Sequence, residues 1–162
     1  MFFANADQRV LGYLGRALSL ELSAVQLYST QARLAATWGL ASAAKRLADE
    51  AVEEMTHAER IIDRMLALGV APGASQLRPV KLGRTLRELL EHDYVFEAEL
   101  VRLYGNAAGY CASIGDQDGR DFFEKLLSEE KAHEAELLHW LGQLGPAEKV
   151  SVSMGHHERV TF

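Results

Sequence analysis

Apolar residues recur at three- and four-residue steps along most of this chain, as at Leu11, Leu14, Leu18, Leu22, Val25 and Leu27. That spacing marks one buried face of a helix. Glycine and proline divide the pattern into four stretches. The first is predicted to start at Asp7, a favourable N-cap, and to run over residues 7–37 ahead of Gly39. The second covers residues 42–68, with Gly69 beyond; the third covers 85–114 and stops at Gly115; the fourth covers 118–144 and stops at Gly145-Pro146. Each helix is expected to be about 40–46 Å long, at about 1.5 Å per residue.

The connections set the topology. The first and third are short and predict antiparallel hairpins. Residues 69–84 hold Pro72, Gly73, Pro79 and Gly83 and little helical pattern. Stretched, that link reaches about 50 Å, enough to travel the bundle and leave the second and third helices parallel. The fold class is all-α, a four-helix bundle with a long crossover. Residues 1–145 form the bundle, and residues 146–162 a tail whose alternation at Lys149 to Met154 looks more like strand or irregular chain than helix.

Composition narrows the setting. The chain has 162 residues, 48% hydrophobic and 25% charged, which suits one ordinary globular domain. No apolar run is long enough for a membrane span, and the start MFFANADQRV reads as no secretory signal. Cys111 stands alone, which fits a reducing compartment, and a cytoplasmic location is expected. A net charge of −6 argues against nucleic-acid partners and leaves acids free to serve cations.

The candidate chemistry lies in a repeat. Glu21 precedes Glu54 and His57 by 33 and 36 residues, and Glu97 precedes Glu130 and His133 by the same intervals, 76 residues further on. A Glu on one helix followed by Glu-x-x-His on the next, twice over, builds a two-metal carboxylate site inside a four-helix bundle. Glu-x-x-His alone means little, since such pairs arise as surface contacts. Glu136 and His139 also form one, but Leu103 stands where its upstream Glu would be, so that pair reads as surface or outer support. Four carboxylates at one level of a bundle are costly unless cations neutralise them, and no Lys or Arg lies within a turn of Glu21 or Glu97 apart from the more distant Arg102. Oxygen and nitrogen ligands without thiolate suit iron or manganese. Tyr28 and Tyr104 repeat the same 76-residue displacement, each seven residues beyond its Glu. They read either as core aromatics or as groups that hydrogen-bond a ligand or donate an electron. Asp49, Glu50 and Glu53 read as a solvated helix face or as a transit route for cations.

The segments ELSAVQLYSTQARLAATWGL, DEAVEEMTHAERIIDRMLALG and LLSEEKAHEAELLHWL resemble bacterioferritin, a ferritin-like di-iron carboxylate family, and the resemblance covers residues 7–144. It implies that Glu21, Glu54, His57, Glu97, Glu130 and His133 are ferroxidase ligands, with Glu54 and Glu130 bridging, His57 and His133 each capping one iron, and Tyr28 beside them. It places Met55 on the axial ligand of a haem b shared by two subunits, although Ser29 stands where an aromatic of the haem pocket is usual. Asp49 and Glu53 take the positions of an inner-surface iron-binding His and Asp. The tail shows no pattern for the family's fifth helix, which helps close a fourfold channel, and His156 and His157 read as a disordered tail or as metal ligands.

The resemblance implies a ferroxidase that oxidises Fe(II) with O2 or H2O2 and stores iron in an oligomeric cage. That cage would be a 24-subunit homo-oligomer built on a twofold dimer, or a mixed cage with another ferritin-like subunit. Two rival classes stand beside it. One is a di-iron or di-manganese oxidase or peroxide-detoxifying enzyme in a smaller assembly, favoured by an open pocket at the site. The other is a metal-buffering or structural subunit.

Overall fold

A computed structural model describes residues 6–145, and the tail with His156 and His157 lies outside the described residues. Four helices follow in order: α1 (Gln8–Thr37), α2 (Ala41–Ala67), α3 (Leu86–Ser113) and α4 (Gln117–Gln143). The expected boundaries hold to within a residue or so. Asp7 caps α1 by accepting from the N–H groups of Arg9 and Val10, and Asp116 caps α4 by accepting from that of Gly119. Gly39, Gly69 and Gly115 end the first three helices with φ of 76°, 78° and 74°. A side chain would be strained at that angle, and the following N–H turns back onto the helix, as from Leu40 to the Ala35 carbonyl at 3.0 Å.

Short turns make α1/α2 and α3/α4 antiparallel hairpins. Contacts between hairpins set the rest: Asp7 meets Tyr110, Glu21 meets Tyr104, Tyr28 meets Glu97 and Gln31 meets Asp93. Numbers rise on one helix as they fall on the other, so α1 and α3 are antiparallel, and α2 and α3 run parallel. The link between them lies across the bundle, where the Gln76 and Arg78 N–H groups donate to the Ser19 and Ser23 hydroxyls at 3.2 and 3.0 Å. Arg78 also grips both carboxylate oxygens of Glu99 on α3, at 2.5 and 2.6 Å. The core divides into two apolar clusters, one around Leu14, Leu18, Tyr104 and Phe123, the other around Tyr28, Leu47, Leu90 and Trp140. Between them lies a polar layer.

Candidate metal centre

That layer is where all four helices place a carboxylate. Glu21, Glu54, Glu97 and Glu130 are each 0% exposed, and His57 and His133 are 4% and 8% exposed. Each Glu-x-x-His pair shares a helix face because residues three apart are neighbours there. Two ligand groups result, Glu21–Glu54–His57–Glu130 and Glu54–Glu97–Glu130–His133, with Glu54 and Glu130 common to both. The six residues singled out by the repeat therefore meet at one place.

Their atoms converge without pairing. The Nδ1 atom of His57 lies 2.8 Å from Glu130 Oε1, 3.3 Å from Glu54 Oε2 and 3.7 Å from Glu21 Oε1. On the other side, His133 Nδ1 lies 3.1 Å from Glu54 Oε1 and 3.3 Å from Glu130 Oε2. Yet both Nδ1 atoms and all four oxygens of Glu54 and Glu130 lack a hydrogen bond of acceptable geometry. Buried polar atoms seldom remain so. Lone pairs aimed at a shared point are what a cation requires, and the oxygen and nitrogen donor set fits two hard divalent metals. The opposite ring nitrogens are each held by a further carboxylate: His57 Nε2 by Glu129 at 3.1 Å, His133 Nε2 by Glu53 at 2.8 Å. Such outer partners orient an imidazole ligand and raise its basicity.

Burial and proximity split the acids into two kinds. Burial raises Glu21 and Glu97 well above the carboxylate range, and neighbouring negative charges, Glu54 on both, add to the shift. For Glu54 and Glu130 burial acts the same way, but the adjacent imidazoles of His133 and His57 prevail and lower both. Burial disfavours charge on the imidazoles too, yet the carboxylates around them win: His133 is pushed up to about 12, and His57 is raised as well. Burial thus favours the neutral form of the outer two glutamates, and the flanking carboxylates favour the charged form of the imidazoles.

The tyrosines behave differently from what their positions on α1 and α3 suggest. Neither reaches the Glu seven residues before it. Tyr28 donates to Glu97 Oε1 at 2.5 Å, and Tyr104 donates to Glu21 Oε1, each crossing to the other hairpin. Side chains lean toward the N-terminus of their own helix, so in an antiparallel pair Tyr28 and Glu97 lean toward each other. Burial, then the adjacent Glu97 or Glu21, raises both phenols well above their ordinary range.

Other candidates separate. Asp49 pairs with Lys45 at 2.6 Å on an exposed face. Glu53 and Glu50 instead lie 2.8 and 4.0 Å from His133 Nε2. Burial lifts Glu50 to about 7. Glu136 and His139 are exposed, apart from the cluster. Met55 is 40% exposed and Val52 68%, beside a groove of about 680 Å³ on the α1/α2 face that also includes Val25, Ser29, Ala51 and Arg33. Sequence reasoning missed Glu129, its partner Arg60 at 2.5 Å, and the buried pair in which Gln31 Nε2 donates to Asp93 Oδ1 at 2.7 Å. Glu129 was findable, because Glu53-Glu54 and Glu129-Glu130 are the same doublet 76 residues apart.

Comparison with known proteins agrees with this architecture. A ferritin-like domain model matches residues 11–145. The bacterioferritin of Rhodobacter capsulatus is 40% identical over 129 residues, covering 80% of each chain. That of Brucella melitensis is 32% identical over the same share. A solved structure of the Rhodobacter protein, described with a metal-free dinuclear site and a haem iron, superposes with a TM-score of 0.82 at 37% identity, covering 86% of this chain and 87% of that one. A Mycobacterium tuberculosis bacterioferritin superposes with a TM-score of 0.81 at 29% identity, with the same coverage.

Proposed function

The chain belongs to the bacterioferritin family of ferritin-like proteins, and from that premise we propose a ferroxidase and iron-storage protein whose two Fe(II) substrates are held by Glu21, Glu54, His57, Glu97, Glu130 and His133. The observation that carries this is the pair of unpartnered Nδ1 atoms facing four buried carboxylates. Glu54 and Glu130 lie between the two ligand groups and bridge the substrates, while Glu21 with His57, and Glu97 with His133, hold one each.

Four carboxylates neutralise two Fe(II) ions and favour the ferric product, because hard anionic oxygens bind the higher charge more strongly. O2 or H2O2 takes one electron from each Fe(II). The four glutamates are completely buried, as a dry bundle core requires, which favours iron oxidation over the oxidase alternative. Access for the cation runs past Glu50 and Glu53, which reach His133 from the partly open side. Tyr28 holds Glu97 in place through its hydroxyl.

Family membership brings oligomeric assembly and an iron substrate. A 24-subunit cage in the cytoplasm, assembled from twofold dimers, is the form proposed for this chain; among the described residues no helix is long and apolar enough to cross a membrane. The α1/α2 groove fits haem shared across such a dimer: an exposed thioether at Met55, apolar walls at Val25, Ala51 and Val52, and Arg33 available for a propionate. Bound there, haem would supply electrons for reductive release of stored iron.

The test follows iron oxidation after Fe(II) meets air, together with particle mass and iron content. Glu97→Ala is expected to abolish the fast phase, and the intact chain to give large particles holding far more than about two irons per subunit. A small dimer with only that complement overturns storage; unchanged oxidation in the variant overturns the ligand assignment.

A further inference from the structure

Where the crossover passes over α1 and α3 it leaves a cavity of about 800 Å³ that the metal chemistry does not use. Residues 73–79 form one wall. That wall is fixed, because the Gln76 and Arg78 N–H groups donate to the hydroxyls of Ser19 and Ser23 on α1. The floor is apolar: Leu20, Met65 and Leu103 line it from the buried core. Gly12 and Gly15 lie on the α1 side, and a Cβ at either would meet nothing within 4 Å. Neither has a positive φ. Backbone conformation and packing therefore give no reason for glycine, a poor helix former, at these two positions. They leave room.

The charge in this cavity is one-sided. Its acidic residue, Glu99, is taken up by Arg78, which donates to both carboxylate oxygens. Arg16 and Arg102 line the same cavity, and among the described residues neither forms an ion pair. The Arg16 guanidinium lies over the Tyr13 ring, 4.8 Å from its centroid, which restricts where its N–H groups point. Asn106 and Gln76 add side-chain amides that can donate. In a chain of net charge −6, two unpaired guanidiniums at one cavity are a local surplus that an anion would satisfy.

We propose that this cavity binds a small organic anion, with its carboxylate or phosphate head on Arg16 and Arg102 and its apolar body on Leu20, Met65 and Leu103 beneath the crossover. Guanidinium suits either head, since its planar fork presents paired N–H groups to two oxygens. An inorganic ion would leave the apolar floor and most of the volume unused, and a neutral ligand would leave the arginines unpaired. Bound there, the ligand joins the crossover to both hairpins and stabilises the folded protein by linkage. The site stands independently of the ferroxidase reading, because none of these side chains is a metal ligand.

The experiment titrates the full-length assembled protein with phenyl phosphate, phenylacetate, inorganic phosphate and benzyl alcohol by calorimetry, with thermal unfolding followed in parallel. Phenyl phosphate or phenylacetate is expected to bind saturably and to raise Tm, and the tighter of the two identifies the head. Inorganic phosphate lacks the apolar body and benzyl alcohol lacks the charge, so each should bind at least about tenfold more weakly. Arg16→Gln/Arg102→Gln should weaken the tighter probe by more than about tenfold. Gly15→Leu should do the same by filling the cavity while favouring the helix, so it decides the matter if the double variant does not fold. Fe(II) oxidation should run at the natural rate in both variants, which separates this site from the dinuclear centre. Three results each overturn the proposal: no saturable binding of either aromatic anion, inorganic phosphate binding as tightly as phenyl phosphate, or affinity unchanged in Gly15→Leu.

Discussion

The two ends of the metal site have the same ligands and unlike surroundings. A 76-residue displacement relates them: Glu21, Glu54 and His57 map onto Glu97, Glu130 and His133, and Tyr28, beside Glu97, maps onto Tyr104, beside Glu21. Around Tyr104 stand Phe123, Tyr13 and Tyr110; the equivalent positions around Tyr28 are Leu47, Leu89 and Leu34. Conversely, the buried Gln31–Asp93 pair near Tyr28 is replaced near Tyr104 by Ala107 and Ala17, both 0% exposed. One end is aromatic and dry; the other carries a fully buried polar pair. Coordination demands three donors from each half, six in all, whereas the packing around them need only fill space, so that is where the halves have drifted apart.

If coordination is what stays symmetrical, Glu21→Ala and Glu97→Ala should be equally damaging. Each is expected to slow Fe(II) oxidation by more than about 100-fold, since even outer partners of ligands cost 10–100-fold. Stopped-flow absorbance checks this, and a marked inequality between the two would show that packing, not ligation, sets the rate.

Next comes charge. Ligand imidazoles and carboxylates must shed protons to bind metal. Burial favours the neutral form of Glu21 and Glu97, and carboxylates favour the charged form of His57 and His133 despite burial. Loading two redox-inert Co(II) ions at neutral pH should therefore release about four protons per chain, two from each end. A pH-stat titration measures them. Release of only two in Glu97→Gln, where the ligand no longer carries a removable proton and its ion is lost, would assign half to each end.

The polar end should respond to pH where the aromatic end does not. Burial raises Asp93 from 3.8 to about 8, opposed by the Gln31 hydrogen bond and reinforced by Glu50. The unfolded chain loses this proton first, so between those values the native state binds more protons and stability falls as pH rises. Asp93→Asn removes that loss. The metal-free variant should gain about 1–3 kcal/mol at pH 8 and much less near pH 5, read from urea unfolding curves. Burial also lifts Glu50 to about 7, so some slope remains in the variant.

The smallest effect concerns the outer carboxylates. Arg60 holds Glu129 at 2.5 Å, and Glu129 holds His57, whereas the position equivalent to Arg60 is Glu136. Arg60→Met is expected to weaken Co(II) binding at the His57 side by less than about tenfold and to leave the His133 side unaltered, as calorimetry would resolve. Loss at both sides would mean the ends are mechanically coupled.

The helices and six donors could be read from the chain because periodicity, glycine stops and a doubled spacing are all local or repetitive signals. Gly39, Gly69 and Gly115 announced the helix ends, and their φ values explain why. The partners of Tyr28 and Tyr104 were not readable, since they depend on which way side chains lean across antiparallel helices. The Gln31–Asp93 pair lay hidden for a related reason: nothing in a helical pattern says that a Gln and an Asp 62 residues apart will be buried together.

The crossed tyrosine bonds carry a consequence for descent. A single helical hairpin ending before the crossover holds one Glu-x-x-His, one further Glu, and a tyrosine whose acceptor lies elsewhere. Paired with its own duplicate about a twofold axis passing between Glu54 and Glu130, it completes both ligand groups and satisfies both phenols. The present chain has the form of such a homodimer of hairpins fused head to tail, and its crossover is the seam.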